Sequence, residues 1–130
     1  MQLKIITHEK IVYEGDVDEI VIDTKNGQMG ILKERLPITT ILDIGITKAK
    51  QGDTVLQFAT MGGIFQFKEN VATILTDACE ADCDIDVARA KEAKKRAEAR
   101  LADADAEIDA QRAQAALARA LVRLKASISN

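Results

Sequence analysis

Arg89 and Arg96 stand seven residues apart, as do Arg112 and Arg119, with Arg123 four further on. Seven residues is close to two turns of an α-helix, so each set projects from one helix face. Guanidiniums repeated along a face suit phosphate, whose oxygens they bind as a bidentate fork. Asp86 precedes Arg89 by three and falls on the same face. If two helices fold side by side, Arg89, Arg96, Arg119 and Arg123 converge on one polyphosphate. A plainer reading makes these arginines solvated partners of Asp86, Glu92 and Glu98 at helical spacing, each pair contributing about 0.3–0.5 kcal/mol. Spacing alone leaves both readings open.

Other chemistry is thinly represented. The chain has no Walker P-loop, no GxGxxG and no GxSxG elbow, and its single histidine, His8, has no evident nucleophile to serve. An enzyme in its own right is therefore not expected. Asp82, Asp84 and Asp86 resemble the opening of a calcium loop, but the glycine position is Val87 and the bidentate glutamate position is Ala93. Capping and solvation account for these aspartates. Cys79 and Cys83 lack the second pair a zinc site needs, so they are expected to be ordinary reduced thiols, with no metal required.

The elements that must position these residues divide the chain in two. Residues 3–7, 10–14, 17–23, 38–42, 45–50, 54–60, 63–67 and 71–75 are rich in Ile, Val, Thr and Phe and read as short strands. Turn signals at Glu14-Gly15-Asp16, Asn26-Gly27, Gly52-Asp53, Gly62-Gly63 and Glu69-Asn70 separate most of them. With no helical pattern between the strands, an antiparallel β-sandwich is expected over residues 1–84. From Asp86 to about Leu101 strong helix formers follow, with Asp84 or Asp86 as the N-cap. Asp103, Asp105, Glu107 and Asp109 supply turn and first-turn chemistry for a second helix, which ends near Ala126 beside Arg123 and Lys125. The whole is α+β: a sandwich followed by a helical hairpin over 85–130. Ala90, Ala93, Ala97 and Leu101 give the first helix a narrow stripe, and Leu117, Leu121, Leu124 and Ile128 give the second a coiled-coil-like seam. Alanine methyls bury little area at about 25 cal/mol per Å2, so the hairpin is expected to be weakly held and able to detach.

Composition follows the same division. All seven glycines and the single proline lie at or before Gly63, and the four aromatics at or before Phe67. Residues 1–84 carry 8 Lys+Arg against 14 Asp+Glu, a net of −6, and residues 85–130 carry 10 against 7, a net of +3. With an acidic whole and no basic stripe interleaved with aromatics, nucleic acid is not an expected partner. The basic tail suits an acidic protein surface or a polyanion. Apolar runs fall far short of the roughly 20 residues of a membrane span, and Met1-Gln2-Leu3-Lys4 does not open a signal peptide. A cytoplasmic location is expected, with membrane contact only through partners.

Five stretches carry a family resemblance: Gly27-Gln28-Met29-Gly30-Ile31-Leu32, Leu36-Pro37 leading to Leu42-Asp43-Ile44-Gly45, Gly62-Gly63-Ile64-Phe65, residues 71–77, and Ile85 to Ala90. In their order and spacing the chain resembles, over essentially its whole length, the epsilon subunits of bacterial F-type ATP synthases. The resemblance implies a rotor subunit of the central stalk, with the sandwich docked on the gamma subunit and the c-ring. It implies a hairpin that permits ATP hydrolysis when folded down and hinders it when extended toward the alpha and beta subunits. It also implies ATP as a regulatory ligand of the folded hairpin. The motif residues are Ile85, Asp86, Arg89 and Ala90, joined by Glu80, Arg96, Arg119 and Arg123. Arg112 and Lys125, on a second helix without an acid after Asp109, are implied contacts for the acidic beta surface. Gln28 and Arg35 lie in the region that faces the c-ring or gamma. There the chain departs from many relatives: Lys33-Glu34-Arg35 replaces Pro-Gly-His, and Gln28 replaces an acid. Two readings of other classes stand beside this one, a free-standing ATP sensor and a hairpin adaptor for anionic protein or lipid.

Overall fold

The computed structural model describes residues 1–103 and 107–128. Its first part is a β-sandwich of eight strands: β1 (Gln2–Ile6), β2 (Ile11–Asp16), β3 (Glu19–Thr24), β4 (Gly27–Leu32), β5 (Ile38–Gln51), β6 (Thr54–Lys68), β7 (Val71–Leu75) and β8 (Cys79–Ala81). Alternation makes the layers. Leu3 and Ile5 of β1, Ile20 and Ile22 of β3 and Ala72 and Ile74 of β7 all point inward, each with no exposed surface. Phe65, Phe67 and Ile31 join them in one core. Each such large apolar side chain contributes about 1.5–3 kcal/mol relative to exposure.

The strands run in the order β2-β1-β7-β6-β5-β3-β4, with β8 also paired to β6. Every pairing is antiparallel except β1 with β7, which are parallel. A wholly antiparallel sandwich was the expectation; because β7 returns from a hairpin with β6, it reaches β1 running the same way. The expected strands 38–42 and 45–50 are one strand, β5, and 54–60 and 63–67 are one strand, β6. The pair is long enough to serve both layers: β6 meets β8 through Phe58–Thr60 and β7 through Ile64–Lys68. Gly62-Gly63 is thus a kink inside a strand rather than a turn. Both have positive φ, 78° and 113°, and a Cβ at Gly63 would collide with the Leu75 carbonyl of the neighbouring strand. Glu14-Gly15-Asp16 is likewise the end of β2, the chain turning at Val17 and Asp18 instead. Glu69-Asn70 does form a tight hairpin turn, with φ of 52° and 62°.

A 3-10 turn, Asp82–Asp84, leads into α1 (Val87–Ala102) and α2 (Glu107–Ile128). Asp86 is the cap of α1, its carboxylate accepting from the Arg89 backbone N–H at 3.1 Å. Asp103 closes α1, its backbone N–H donating to Ala99 O at 3.2 Å. Asp105, the side chain of Glu107 and that of Ile128 lie outside the described residues.

The hairpin seam differs from the expected one. Ala90 and Ala97 of α1 and Ala113 and Ala120 of α2 are buried, whereas Leu117 and Leu124 are only half-buried and Leu121 is exposed. Methyl-sized residues on both helices let the backbones approach closely, which a leucine seam would forbid. α2 rests on the sandwich through Ala126 and Val122, against Ile46 and Ala59 of β5 and β6 with Met61 and Ile85 at the edge. This second core is small, in keeping with a lightly held hairpin.

Candidate ligand cleft at the root of the hairpin

Where β8 gives way to α1, the short 3-10 turn swings three acids toward the helix pair. Glu80 comes from β8, Asp84 from the 3-10 turn and Asp86 from the cap of α1. Across from them, Arg89 and Arg96 rise from α1 two turns apart, and Arg123 comes from α2. Together with Ala90 and Ala93 they line a cleft of about 340 Å3. That size falls within the range of small-molecule sites.

Local chemistry fixes each wall. Asp86 is held by its capping bond, so its remaining lone pairs stay at the cleft. Arg123 Nε donates to Glu80 Oε2 at 3.1 Å, linking α2 to β8 across 43 residues of chain. The buried Ala90 backs the cleft, and only a methyl group projects from that position. Ile85 is half-buried and packs in the apolar cluster below, anchoring the strand-to-helix link rather than lining the cleft. Arg96 lies 3.9 Å from Glu92, an exposed pair one turn apart. The solvated-pair reading therefore holds for that contact. It does not hold for Arg89, whose guanidinium makes no ion pair or hydrogen bond with a described residue.

The cleft is mixed in sign. Carboxylates accept from donors such as an exocyclic amine or a sugar hydroxyl, and guanidiniums bind phosphate oxygens. A nucleotide carries both kinds of group. Arg119, expected in the same cluster, is not brought to it. It stands one turn before Arg123 and lines a separate cleft with Arg112 and Arg100 toward the far end of the hairpin. Asp84 and Ala93 are lining residues that the arginine spacing did not single out; Ala93, four after Arg89 and three before Arg96, lies on their face and was findable from it.

The remaining candidates are scattered over the surface. Gln28 is exposed on β4, opposite Asp23 of β3. Arg35 is exposed in the loop after β4, its Nη1 reaching Gly30 O at 3.4 Å. Arg112 and Lys125 are exposed on α2. Cys79 is buried beside Glu80, with Thr60 Oγ1 3.8 Å from its sulfur, and burial pushes its thiol up to about 11. No metal-ligating group of three occurs among the described residues.

A sandwich joined through a short 3-10 turn to a small-residue helix hairpin, with a mixed-charge cleft at the joint, defines a two-part α+β class. Comparison with known proteins names the family. The ATP synthase delta/epsilon chain β-sandwich domain matches residues 1–82, and the long α-helix domain of the same chains matches residues 84–127. An ATP synthase epsilon chain of Symbiobacterium thermophilum is 47% identical over 128 residues, covering 98% of this chain and 92% of the relative. That of Halalkalibacterium halodurans is 42% identical over 101 residues, covering 78% and 76%. Among solved structures, a chain of the Euglena gracilis mitochondrial ATP synthase (OSCP/F1/c-ring) has the same fold, with a TM-score of 0.82 at 22% identity over 97% of this chain and 79% of that one. A chain of the Tetrahymena thermophila mitochondrial central stalk and c-ring gives 0.70 at 18% identity, over 98% and 96%. The chain belongs to the ATP synthase delta/epsilon chain family and is a non-catalytic subunit.

Proposed function

We propose that this chain is a rotor subunit of the central stalk that couples rotation to ATP synthesis and restrains hydrolysis through an ATP-sensitive hairpin. The observation that carries the ATP part is the cleft itself: with the hairpin on the sandwich, Glu80 of β8 and Arg123 of α2 meet Asp86, Arg89, Ala90 and Arg96 of α1 and its cap. The acids read the adenine amine and ribose hydroxyls, and Arg89 and Arg96 take the phosphates. Arg123 stays paired with Glu80 through Nε and offers its remaining N–H groups. A ligand that binds only the folded form stabilises it by RT ln(1 + [L]/Kd), so the folded population tracks ATP.

The sandwich would dock on the gamma subunit and the c-ring. Two apolar features support this. Ile41, Ile64 and Leu75 are neighbours across β5, β6 and β7 and remain exposed on one face. Leu32 and Leu36 are exposed close to Arg35, with Gln28 on the same strand as Leu32. Exposed apolar clusters of this kind mark protein contacts. When the hairpin opens, Arg112 and Lys125 would meet the acidic surface of the alpha and beta subunits, at the cytoplasmic face of the membrane. No described helix is long and apolar enough to cross a membrane.

Calorimetric titration of the full chain with ATP tests the ligand. Saturable binding is expected, weakened by about tenfold or more in Arg89→Ala, the loss of a charged hydrogen-bonding partner. Absence of saturable heat in the unmutated chain rejects the ATP reading. Loss of gamma co-purification on deletion of the hairpin, with retention on deletion of the sandwich, would reject the docking reading.

A further inference from the structure

The cleft at the root of the hairpin holds a carboxylate that neither the arginine spacing nor the family motif claims. Asp84 ends the 3-10 turn and lines the cleft beside Asp86 and Arg89. Of the two aspartates that could cap α1, the helix uses Asp86. Asp84 is thereby left free of the capping role. It is exposed, and among the described residues it has no ion pair and no N–H donor, only the Cys83 thiol 3.8 Å from Oδ1. Its neighbours are engaged: Glu80 accepts from Arg123 Nε at 3.1 Å, and Asp86 accepts from the Arg89 backbone N–H. Asp84 therefore keeps the most open acceptor capacity of the three. Nor does it hang on a loose loop. The backbone N–H of Ile85 closes the turn on Asp82 O, and the turn touches both β6 and α2.

We infer that Asp84 selects the base of the nucleotide: its carboxylate accepts from the exocyclic amine of an adenine-type ring, so the cleft prefers a purine with that amine to one without it. This role rests on the reading of the cleft as an ATP site and names a residue beyond those that carry that reading. Charge orders the ligand along α1. Arg89 and Arg96 lie two turns apart inside the helix, roughly 10 Å along its axis, whereas Asp86 is its cap and Asp84 precedes it. Phosphates go to the guanidiniums and away from the carboxylates, which leaves sugar and base at the acid end. There Ile85 and Asp86 are both extended, so Asp84 stands roughly 6–7 Å of chain beyond the cap. Glu80, though earlier in the chain, is held to an arginine and stays on the phosphate side. The purine amine is the end of the ligand remote from its phosphates, and Asp84 is the open acceptor remote from the arginines. A purine lacking the amine strips water from this carboxylate and returns no donor.

Calorimetric titration of the full chain with ATP and with purine riboside 5′-triphosphate, which lacks the amine and keeps sugar and phosphates, tests the assignment. The unmutated chain should bind ATP about five- to tenfold more tightly than the analogue, and in Asp84→Ala the ratio should fall to about one. Removing an acid alters the attraction for both anions alike, so the ratio isolates the amine contact from bulk charge. Asp82→Ala takes an acid from the same turn but outside the cleft, and should keep the full ratio. Equal affinities in the unmutated chain, an undiminished ratio in Asp84→Ala, or an equal fall in Asp82→Ala would each overturn the role of Asp84 while ATP binding stands. Absence of saturable ATP binding rejects instead the nucleotide reading of the cleft, and this role with it.

Discussion

Two single residues, Cys79 and Gly63, make the packing of the sheet directly testable. Cys79 sits at the start of β8 with its thiol buried, next to Glu80 of the cleft, and Cys83 four residues later is exposed. Desolvation disfavours the thiolate, so the folded-state value near 11 keeps Cys79 neutral through the physiological range and removes its nucleophile. One thiol per chain should therefore react rapidly with a disulfide reagent at mildly alkaline pH, and the second only after denaturation. Labelling of both at one rate in the native protein would contradict the burial of Cys79. Gly63 is the second of these residues. Its φ of 113° and the Leu75 carbonyl leave no room for a Cβ, so Gly63→Ala must shift β6 from β7. A loss of about 2–4 kcal/mol is expected in denaturant unfolding, beyond what strand propensity alone accounts for.

At the scale of elements, most strands were legible because alternation and turn chemistry are local. Leu3 and Ile5, or Ile20 and Ile22, announce a buried face without knowledge of their neighbours. What escaped was set by distant parts of the chain. β4 contains Gly27 and Gly30 and so lacks strand propensity, yet it is held along its length by β3, with Ile31 fully buried. β8 is three residues long and exists because β6 pairs with it. The continuity of β5 and β6 through Asp43 and Gly62-Gly63 depends on two layers sharing one ribbon. In the same way, arginine spacing revealed a basic face on each helix, but not that Arg119 would part from Arg123. That separation follows from the pairing of Ala90 and Ala97 with Ala113 and Ala120, which sets how the two faces oppose each other. The seam can be tested directly. Ala97→Leu inserts a branched side chain where only methyls fit, and should cost about 1–3 kcal/mol of hairpin packing. The expected signature is loss of helical circular dichroism or α1 and α2 amide protection with the sheet unchanged; a loss spread evenly over sheet and helices would refute a separately packed hairpin.

Across the whole molecule, the contacts that join the two parts include a small apolar cluster around Ala126 and a side-chain ion pair, Arg123 with Glu80. They also differ in charge, −6 for residues 1–84 and +3 for residues 85–130. A joint that rests partly on charge should weaken with salt, because dissolved ions damp the attraction between exposed charges over a Debye length of about 10 Å at 0.1 M. The Arg123–Glu80 pair is partly exposed, so its share is modest, about 0.5–1 kcal/mol. Arg123→Gln keeps most of the side-chain volume and removes that share. If the hairpin opens as a unit, amides of α2 should exchange about two- to fivefold faster in the variant, while those of β1, β3 and β7 hold their rates. Added salt should speed α2 exchange in the unmutated chain more than in the variant, since the variant has already lost the screened contact. Faster exchange throughout the sheet would mean that Arg123 supports the sandwich itself; unchanged exchange in α2 would place the hold on the hairpin in contacts other than this pair, the Ala126 cluster among them, and the Glu80 contact would then serve the cleft rather than the joint.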